Sequence, residues 1–454
     1  MLSAQHHHLV PFGLISPDGN VERNKENESK IIMEEEQSMT HSELEAKSFV
    51  VNMIKNGTST PCDVPSNSGT ISATLPRWYD ELKFKRGQKY FLENRFGILS
   101  SNLCGLLILL ADPKGLDVLD STKRSSTVET AKKRYVSTIM HTISWYEIDL
   151  RPGSKSWESL NTIRKMHLLA SNSASKKMIG LITQSDLVLT TFGFMGLALV
   201  RPHFLGIRCD NKEDREGFTH FWAVIGHMLG VEDHFNMCLF SLETIEHICS
   251  ILIRYFFIPV IQLETVKFKE MTNVLLNGLS PFMPHMSYDI QLFLVKRIIG
   301  VPGHQYGVDV SKEVICRSIF SADELDMARK VVRSMHRENS HYLQMYEIFF
   351  NDGIPVAGQS NLKSVKSSVK SEHGNSIEIY GKTFHWIMKS NDGAEWREYL
   401  NDAAFYALSK RDQLMVRWIC FLFWCYGNLR LAKYVCEWGM NLILFLMQRF
   451  DKSL

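Results

Sequence analysis

The long succession of apolar residues at helical spacing constrains this chain more than any other feature. From residue 76 to about residue 350 such stretches follow one another, with no alternating strand pattern of any length and no internal repeat. Hydrophobic residues make up 45% of the 454 residues, enough to fill a large core and to surround an apolar cavity. The sequence therefore predicts an all-α protein with one large helical domain over residues 76–352.

The first 75 residues have a different composition. Glu, Asn, Ser and Lys are frequent there and aromatic residues are scarce, so too little apolar surface is available to offset chain entropy. We expect residues 1–75 to form a disordered tail, with a short helix between residues 33 and 51. The N-terminus lacks the pattern of a secretory signal peptide, which favours an intracellular location.

Beyond residue 352 the helical pattern is interrupted and then resumes. Residues 353–380 contain Gly353, Pro355 and a serine-rich run with three lysines, which indicates a flexible loop. Residues 381–454 return to helical spacing, and 413–450 predict a helical hairpin. Its two apolar runs are shorter than the roughly 20 residues that span a bilayer. The hairpin is therefore expected either to pack on the domain or to lie in a membrane interface.

A third apolar stretch, residues 179–200, is long enough to cross a membrane. It contains Gln184 and Asp186, however, and a charge within lipid is costly. We therefore predict that this stretch is a buried helix of a large helical core.

Composition and missing motifs exclude several classes of function. The formal net charge of +2 gives no field that attracts nucleic acid, so no nucleic-acid partner is expected. The nine cysteines include no CxxC pair, which argues against a zinc knuckle or a disulfide framework and favours a reducing compartment. The dinucleotide, P-loop, nucleophile-elbow and covalent-haem signatures are all missing from the sequence.

One predicted helix carries polar residues on a single face. Arg134, Thr138, His141 and Trp145 are spaced at i, i+4, i+7 and i+11, next to Ile and Met neighbours. Polar groups that face a core need partners, and an anionic ligand is one such partner. The alternative is a solvated or internally paired helix face, which is the more common arrangement.

A second candidate is His167, which stands between Met166 and Leu168 on the next predicted helix, with Arg164 one turn earlier. A histidine in an apolar setting stays neutral more readily, and neutral imidazole is the form that binds iron. The alternative is a core histidine that donates to a carbonyl group.

The third candidate lies on a helix that contains His220 and His227, seven residues apart and therefore on one face, with Glu232 and Asp233 beyond Gly230. Two histidines and two acids could hold a metal ion. Their spacing does not match known metal-binding motifs, so a core helix with hydrogen-bonded histidines is preferred.

These three segments together, in this order and spacing, resemble the rubber oxygenase or latex clearing protein superfamily. That superfamily includes an endoplasmic-reticulum-bound oxygenase of mycophenolic acid biosynthesis and insect-type members. The matching residues are Arg134 with Thr138, then Arg164-Lys165-Met166-His167, a segment from Gln184 through Thr190 to Phe192, and finally the stretch from Trp222 to Gly230. The resemblance covers about residues 85–300.

The resemblance implies an all-α fold around a haem b that is not covalently attached. It implies that His167 ligates the iron, that Arg134, Thr138 and Arg164 bind the cofactor, and that Arg134 and Thr138 also serve in catalysis. The implied function is an oxygenase that uses dioxygen on a hydrophobic, isoprenoid or lipid substrate, associated with the endoplasmic reticulum membrane through residues 413–450. The alternative is a helical haem- or lipid-binding protein without turnover.

The sequence departs from the rubber oxygenases at two positions. Ser137 stands where one of them has a lysine immediately before the threonine. The upstream catalytic glutamate of that family has no clear match, and Asp117 and Asp120 are the nearest acids. Both departures bear on turnover rather than on haem binding.

Overall fold

The structure is a computed structural model, and it describes residues 39–63, 74–283, 287–301, 303–307 and 402–451. Within these ranges the chain is helical, with no strand and one isolated β-bridge between Pro61 and Thr183. The all-α prediction is therefore confirmed. The predicted loop over residues 353–380 lies outside the described residues.

The helices are numbered here in chain order. Those before residue 240 are α1 (His41–Asn52), α2 (Glu81–Glu93), α3 (Arg95–Ala111), α4 (Pro113–Ser121), α5 (Val128–Glu147), α6 (Lys155–Lys176), α7 (Gln184–Val200) and α8 (Lys212–Met228). Those that follow are α9 (Leu242–Leu252), α10 (Ile258–Gln262), α11 (Val266–Leu279), α12 (Tyr288–Ile299), α13 (Ala403–Ala407), α14 (Lys410–Asn428) and α15 (Arg430–Asp451).

Part of the predicted disordered tail is folded, which corrects the prediction for residues 39–63. Thr40 caps α1 through a capping box with Glu43, and the helix buries Ala46, Phe49 and Val50 in the main core. A composition average over 75 residues hides this single amphipathic helix, whose stability comes from packing against α9. The short helix expected between residues 33 and 51 is found at α1, and residues 1–38 lie outside the described part.

The apolar pattern over residues 86–111 contains a sharp bend. The chain forms α2 and α3 with an angle of 92° between them, and the break lies at Asn94. The Asn94 side chain donates to the Tyr90 carbonyl (3.1 Å) and accepts from the Arg208 N–H (3.0 Å), so it replaces helical hydrogen bonds at the bend. Periodicity alone does not reveal this bend, because both arms bury apolar faces.

Helix α7 lies in the core, where the sequence analysis placed it. Gln184 is fully buried, and Asp186 forms an ion pair with Lys114 (2.7 Å). By length and composition, the continuous helix Leu242–Gln262 could cross a membrane, and the bent pair α2–α3 would pass the same test as one span. Leu242–Gln262 is 71% buried inside the protein, as a core helix of a globular protein also is. It changes to π-type hydrogen bonding over Ile253–Phe257, directly before Pro259, where the sequence predicts a kink.

Helices α3 and α7 cross at two glycines. A Cβ atom on Gly105 would overlap the carbonyl oxygen of Gly193, so the two backbones touch there. This close approach brings the two most apolar helices of the domain together and forms one side of the cavity described below.

We expect Gly105→Ala to destabilise the protein by about 2–3 kcal/mol, because the added methyl group must force two packed helices apart. The control is Gly439→Ala on α15, where a Cβ atom meets nothing within 4 Å. That change should raise stability by up to about 1 kcal/mol through helix propensity. Chemical denaturation of both variants measures the difference, and equal midpoints would contradict the proposed close contact.

Candidate functional site

A cavity of about 660 Å³ lies between the helices of the main core. Side chains from α3, α5 and α7 line one part of it, and side chains from α12, α14 and α15 line another. Most of the lining is apolar. The charged groups and the histidine in the lining are Asp112, Lys114, Arg134, His167, Asp186 and Arg297, and the polar neutral groups include Thr122 and Thr138. A space of this size and character suits a large hydrophobic ligand that carries a few polar groups.

His167 is the candidate that best matches the sequence prediction. Its ring projects from α6 and lines the cavity, and Nδ1 is sealed from solvent with no hydrogen-bond partner in the part of the chain that the structure describes. Burial, with a smaller contribution from the Arg134 charge, lowers the pKa of His167 to about 4. The ring is therefore neutral at physiological pH. A neutral imidazole without protein partners can bind a metal ion that a ligand brings.

Arg134 and Thr138 line the same cavity from α5. The Arg134 guanidinium donates to Thr122 Oγ1 (3.2 Å) and, among the described residues, has no carboxylate within ion-pair distance. Burial lowers the pKa of Arg134, as expected for a cation that lacks a counter-ion. The Thr138 hydroxyl donates to the Arg134 carbonyl (3.0 Å) and is already satisfied within its helix. Of these two residues, Arg134 is therefore the one that an anionic ligand in the cavity would stabilise.

The other half of the predicted polar face is internally paired. His141 Nδ1 lies 2.7 Å from Ser159 Oγ, and the Trp145 Nε1–H donates to the same oxygen (2.8 Å). Neither His141 nor Trp145 lines the cavity. Arg134 and Thr138 therefore line the cavity, whereas His141 and Trp145 join α5 to α6 through hydrogen bonds to Ser159.

Arg164 has a structural role at the position where the sequence analysis predicts a cofactor-binding one. Its guanidinium forms an ion pair with Asp63 (2.6 Å) and donates to the Met228 carbonyl (3.3 Å), and it does not line the cavity. Arg164 and His167 are one turn apart on α6, but they point to different sides of it. The geometry does not support the predicted contact between Arg164 and a cofactor.

The histidines of α8 belong to a packed cluster near the start of the domain. His220 Nε2 accepts from the Asp80 N–H (3.1 Å), and His227 Nδ1 lies 2.9 Å from Asp233 Oδ1. Trp78 packs edge-on against both rings and donates to Asp233. The described residues contain no group of three or more His, Cys, Asp or Glu side chains that could hold a metal ion. The third candidate is therefore a hydrogen-bonded core helix.

Asp112 is a cavity residue that the sequence analysis treated only as a helix terminator. Its carboxylate caps α4 by accepting from the Gly115 N–H (2.6 Å), and burial raises its pKa to about 6. Asp117 and Asp120, the nearest acids to the unmatched glutamate of the rubber oxygenases, are paired with Lys267 (2.7 and 3.0 Å) and do not line the cavity. In the sequence, the only signal at this position was the pair Asp112-Pro113 before a helix. That pair indicates a helix cap and does not indicate a functional site.

The segment that begins α7 contributes to the cavity in part. Ser185, Asp186 and Thr190 line it, whereas Gln184 donates to the Gly230 carbonyl (2.9 Å) and Phe192 packs against Phe257 in the core. Ser185, Asp186 and Thr190 therefore face the cavity, whereas Gln184 and Phe192 make contacts within the core.

His167 should make the stability of the protein sensitive to mild acid. The folded-state pKa of about 4 lies below the ordinary value of 6.5, so the unfolded chain binds a proton more readily than the folded chain does. The stability is therefore complete above pH 6.5 and is lost as the pH falls towards 4, by about 2–3 kcal/mol. His167→Gln should flatten this slope in denaturation series between pH 4 and 7. The exposed His41→Gln serves as the control, and an unchanged slope in His167→Gln would refute the buried neutral ring.

Comparison with known proteins does not assign this chain to a family. No family model matches the chain, and no curated protein matches it. One solved structure, described as "Structure of Latex Clearing Protein LCP in the closed state", is similar with a TM-score of 0.40 and 16% sequence identity. The similarity covers 66% of this chain and 82% of that one. At this TM-score the likeness carries no weight, and the function is argued from the cavity itself.

Proposed function

We propose that the cavity binds haem b through His167 and that the protein is a haem-dependent oxygenase acting on a hydrophobic, isoprenoid or lipid substrate. The single observation that carries the proposal is that one apolar cavity contains both a neutral imidazole and a guanidinium that has no carboxylate partner among the described residues. These are the two groups that a haem requires, since its iron needs a ligand and its propionates need cations.

The residues present fit such a group on three counts. The His167 side chain lines the cavity as a neutral imidazole, the form that ligates iron. Among the described residues no carboxylate pairs with Arg134, so an anionic propionate would neutralise it. The volume of about 660 Å³ and the apolar lining suit a porphyrin-sized ligand. The resemblance of the sequence to the rubber oxygenases points to the same residues.

Each cavity residue then has a distinct task. His167 would ligate the iron, Arg134 would pair with a propionate, and Thr122 would orient the guanidinium through its existing hydrogen bond. When bound, haem would supply the iron that activates dioxygen. The apolar walls would exclude water from an alkene substrate. Asp112, with its pKa near 6, can hold or release a proton within the cavity at physiological pH.

A second function, binding of haem or lipid without turnover, is favoured by Ser137. This residue stands where one rubber oxygenase has its lysine, and it does not line the cavity. The cavity lining also contains the thiols of Cys104 and Cys420, and burial raises the pKa of both. Without a counterpart of that lysine, the protein would hold the cofactor and leave a hydrophobic ligand unchanged.

Haem titration followed by oxygen uptake separates these functions. The full chain is incubated with haemin, and a sharp Soret band that survives gel filtration is the expected result. Oxygen consumption is then measured with squalene as the alkene after reduction of the haem. A Soret band with oxygen uptake supports the oxygenase, a Soret band without uptake supports the binding protein, and no Soret band excludes both haem functions.

A further inference from the structure

The outward face of the C-terminal hairpin is unusually apolar for a protein surface. More than half of the large hydrophobic side chains that are exposed in the described part of the chain belong to α14, α15 or the joint between them. They recur at helical spacing on the two helices, and together they are called here the hairpin face. It consists of Leu414, Trp418, Phe421 and Trp424 on α14, with Leu431, Tyr434, Val435, Trp438, Leu442 and Phe445 on α15. A patch of this extent marks an interaction surface.

The charge on the hairpin is mostly positive. Helices α14 and α15 contain six basic residues and three acids; the acids are Asp412, Glu437 and Asp451. Glu437 points into the protein, where its carboxylate accepts from the Phe96 N–H (3.2 Å) and from the Tyr426 hydroxyl. The hairpin therefore has a net positive charge, and one of its three carboxylates is held inside the protein.

The same two helices form a wall of the cavity. Met415, Ile419 and Phe423 on α14 line the cavity, as do Ile443 and Met447 on α15. Trp418 belongs to both surfaces, because it lines the cavity and is also 56% exposed to solvent. A single layer of helices therefore separates the hairpin face from the cavity.

We propose that the hairpin face docks on the surface of a lipid bilayer that contains anionic lipids. Trp and Tyr side chains favour the headgroup region, and an amphipathic helix buries its apolar face at the acyl boundary. The basic residues add attraction to anionic headgroups. In this orientation Trp418 meets the lipid, so that a hydrophobic ligand can pass between membrane and cavity without crossing water. The docking holds whether or not the cavity binds haem.

Flotation with vesicles tests the proposal on the full chain. Vesicles of phosphatidylcholine with phosphatidylserine should carry the protein to the top of a density gradient, and vesicles of phosphatidylcholine alone should carry less of it. The triple variant Phe421→Ser, Trp424→Ser and Trp438→Ser should reduce binding by about tenfold or more, because it removes three exposed aromatic anchors.

The matched control removes three exposed apolar residues elsewhere on the domain. Leu82→Ser, Leu169→Ser and Val266→Ser alter similarly exposed side chains, and this variant should float like the unmodified protein. Equal loss of binding in both triple variants would overturn the proposal. Circular dichroism melting curves show whether either variant has lost its fold.

A second measurement needs no variant. Lipids brominated along the acyl chain quench Trp fluorescence at short range, so they should quench part of the emission of the unmodified protein. Absence of quenching would overturn the proposal. A second result would also overturn it. If the unmodified protein does not float, is a dimer in light scattering and becomes a monomer in the Phe421, Trp424 and Trp438 variant, then a second copy of the chain covers the hairpin face.

Discussion

His167→Gln should abolish stable haem binding by this protein. The imidazole is the only side chain of the described cavity lining that can ligate iron as a neutral nitrogen donor, and glutamine keeps a similar size without that ability. Mutation of a residue that hydrogen-bonds to a metal ligand typically weakens metal affinity by about 10–100-fold. Loss of the ligand itself should therefore weaken haem affinity by about 100-fold or more. The measurement is a haemin titration followed in the Soret region, with gel filtration to remove loosely bound haem.

The control for this prediction is His141→Gln on the neighbouring helix. His141 is also partly buried, but it hydrogen-bonds to Ser159 and does not line the cavity. This variant should retain haem while losing some stability. If His167→Gln keeps the Soret band of the unmodified protein, the iron ligand is not His167 and the proposed site is wrong.

Arg164→Met should destabilise the fold by about 3–5 kcal/mol, because it removes one partner of the buried Arg164–Asp63 ion pair. The Asp63 side chain is only 2% exposed, and Arg164 reaches it with two nitrogens, at 2.6 and 3.1 Å. Arg164 also joins the segment after α1 to the end of α8 through the Met228 carbonyl. Denaturation with urea at neutral pH measures the loss in the free energy of unfolding.

The double variant Arg164→Met with Asp63→Leu distinguishes a structural role from a cofactor-binding one. Replacing both charges by apolar groups should recover part of the lost stability, since no buried charge is left unpaired. Haem affinity of the double variant should then equal that of the unmodified protein. A stable double variant that binds haem poorly would instead return Arg164 to the cofactor site that the sequence analysis predicted.

The helical elements were predictable because each carries its own periodic pattern. The stretch predicted over residues 127–146 is found as α5, with the Thr127 cap that begins it. The C-terminal pattern likewise appears as α14 and α15. The break at Asn94 and the burial of α1 were not predicted, because both depend on residues far along the chain. A local pattern contains no information about such partners.

The candidate site was predictable only in its residue types. His167 and Arg134 stood out as polar residues in apolar helical settings, and both line the cavity. Arg164, one turn from His167, looked equally suitable, but Asp63 lies more than 100 positions earlier in the chain and pairs with it. Asp112 looked like a cap, and it is one, although the same carboxyl also lines the cavity.

The sequence by itself therefore determined the helices and the short set of polar residues that could face a core, because spacing along a helix decides which side chains share a face. Only the tertiary structure decided which of these polar groups find protein partners and which remain open to the cavity. The reason is that a buried polar group is stabilised by whatever lies opposite it in space, and for Arg134, His167 and the hairpin face those surroundings are assembled from distant helices.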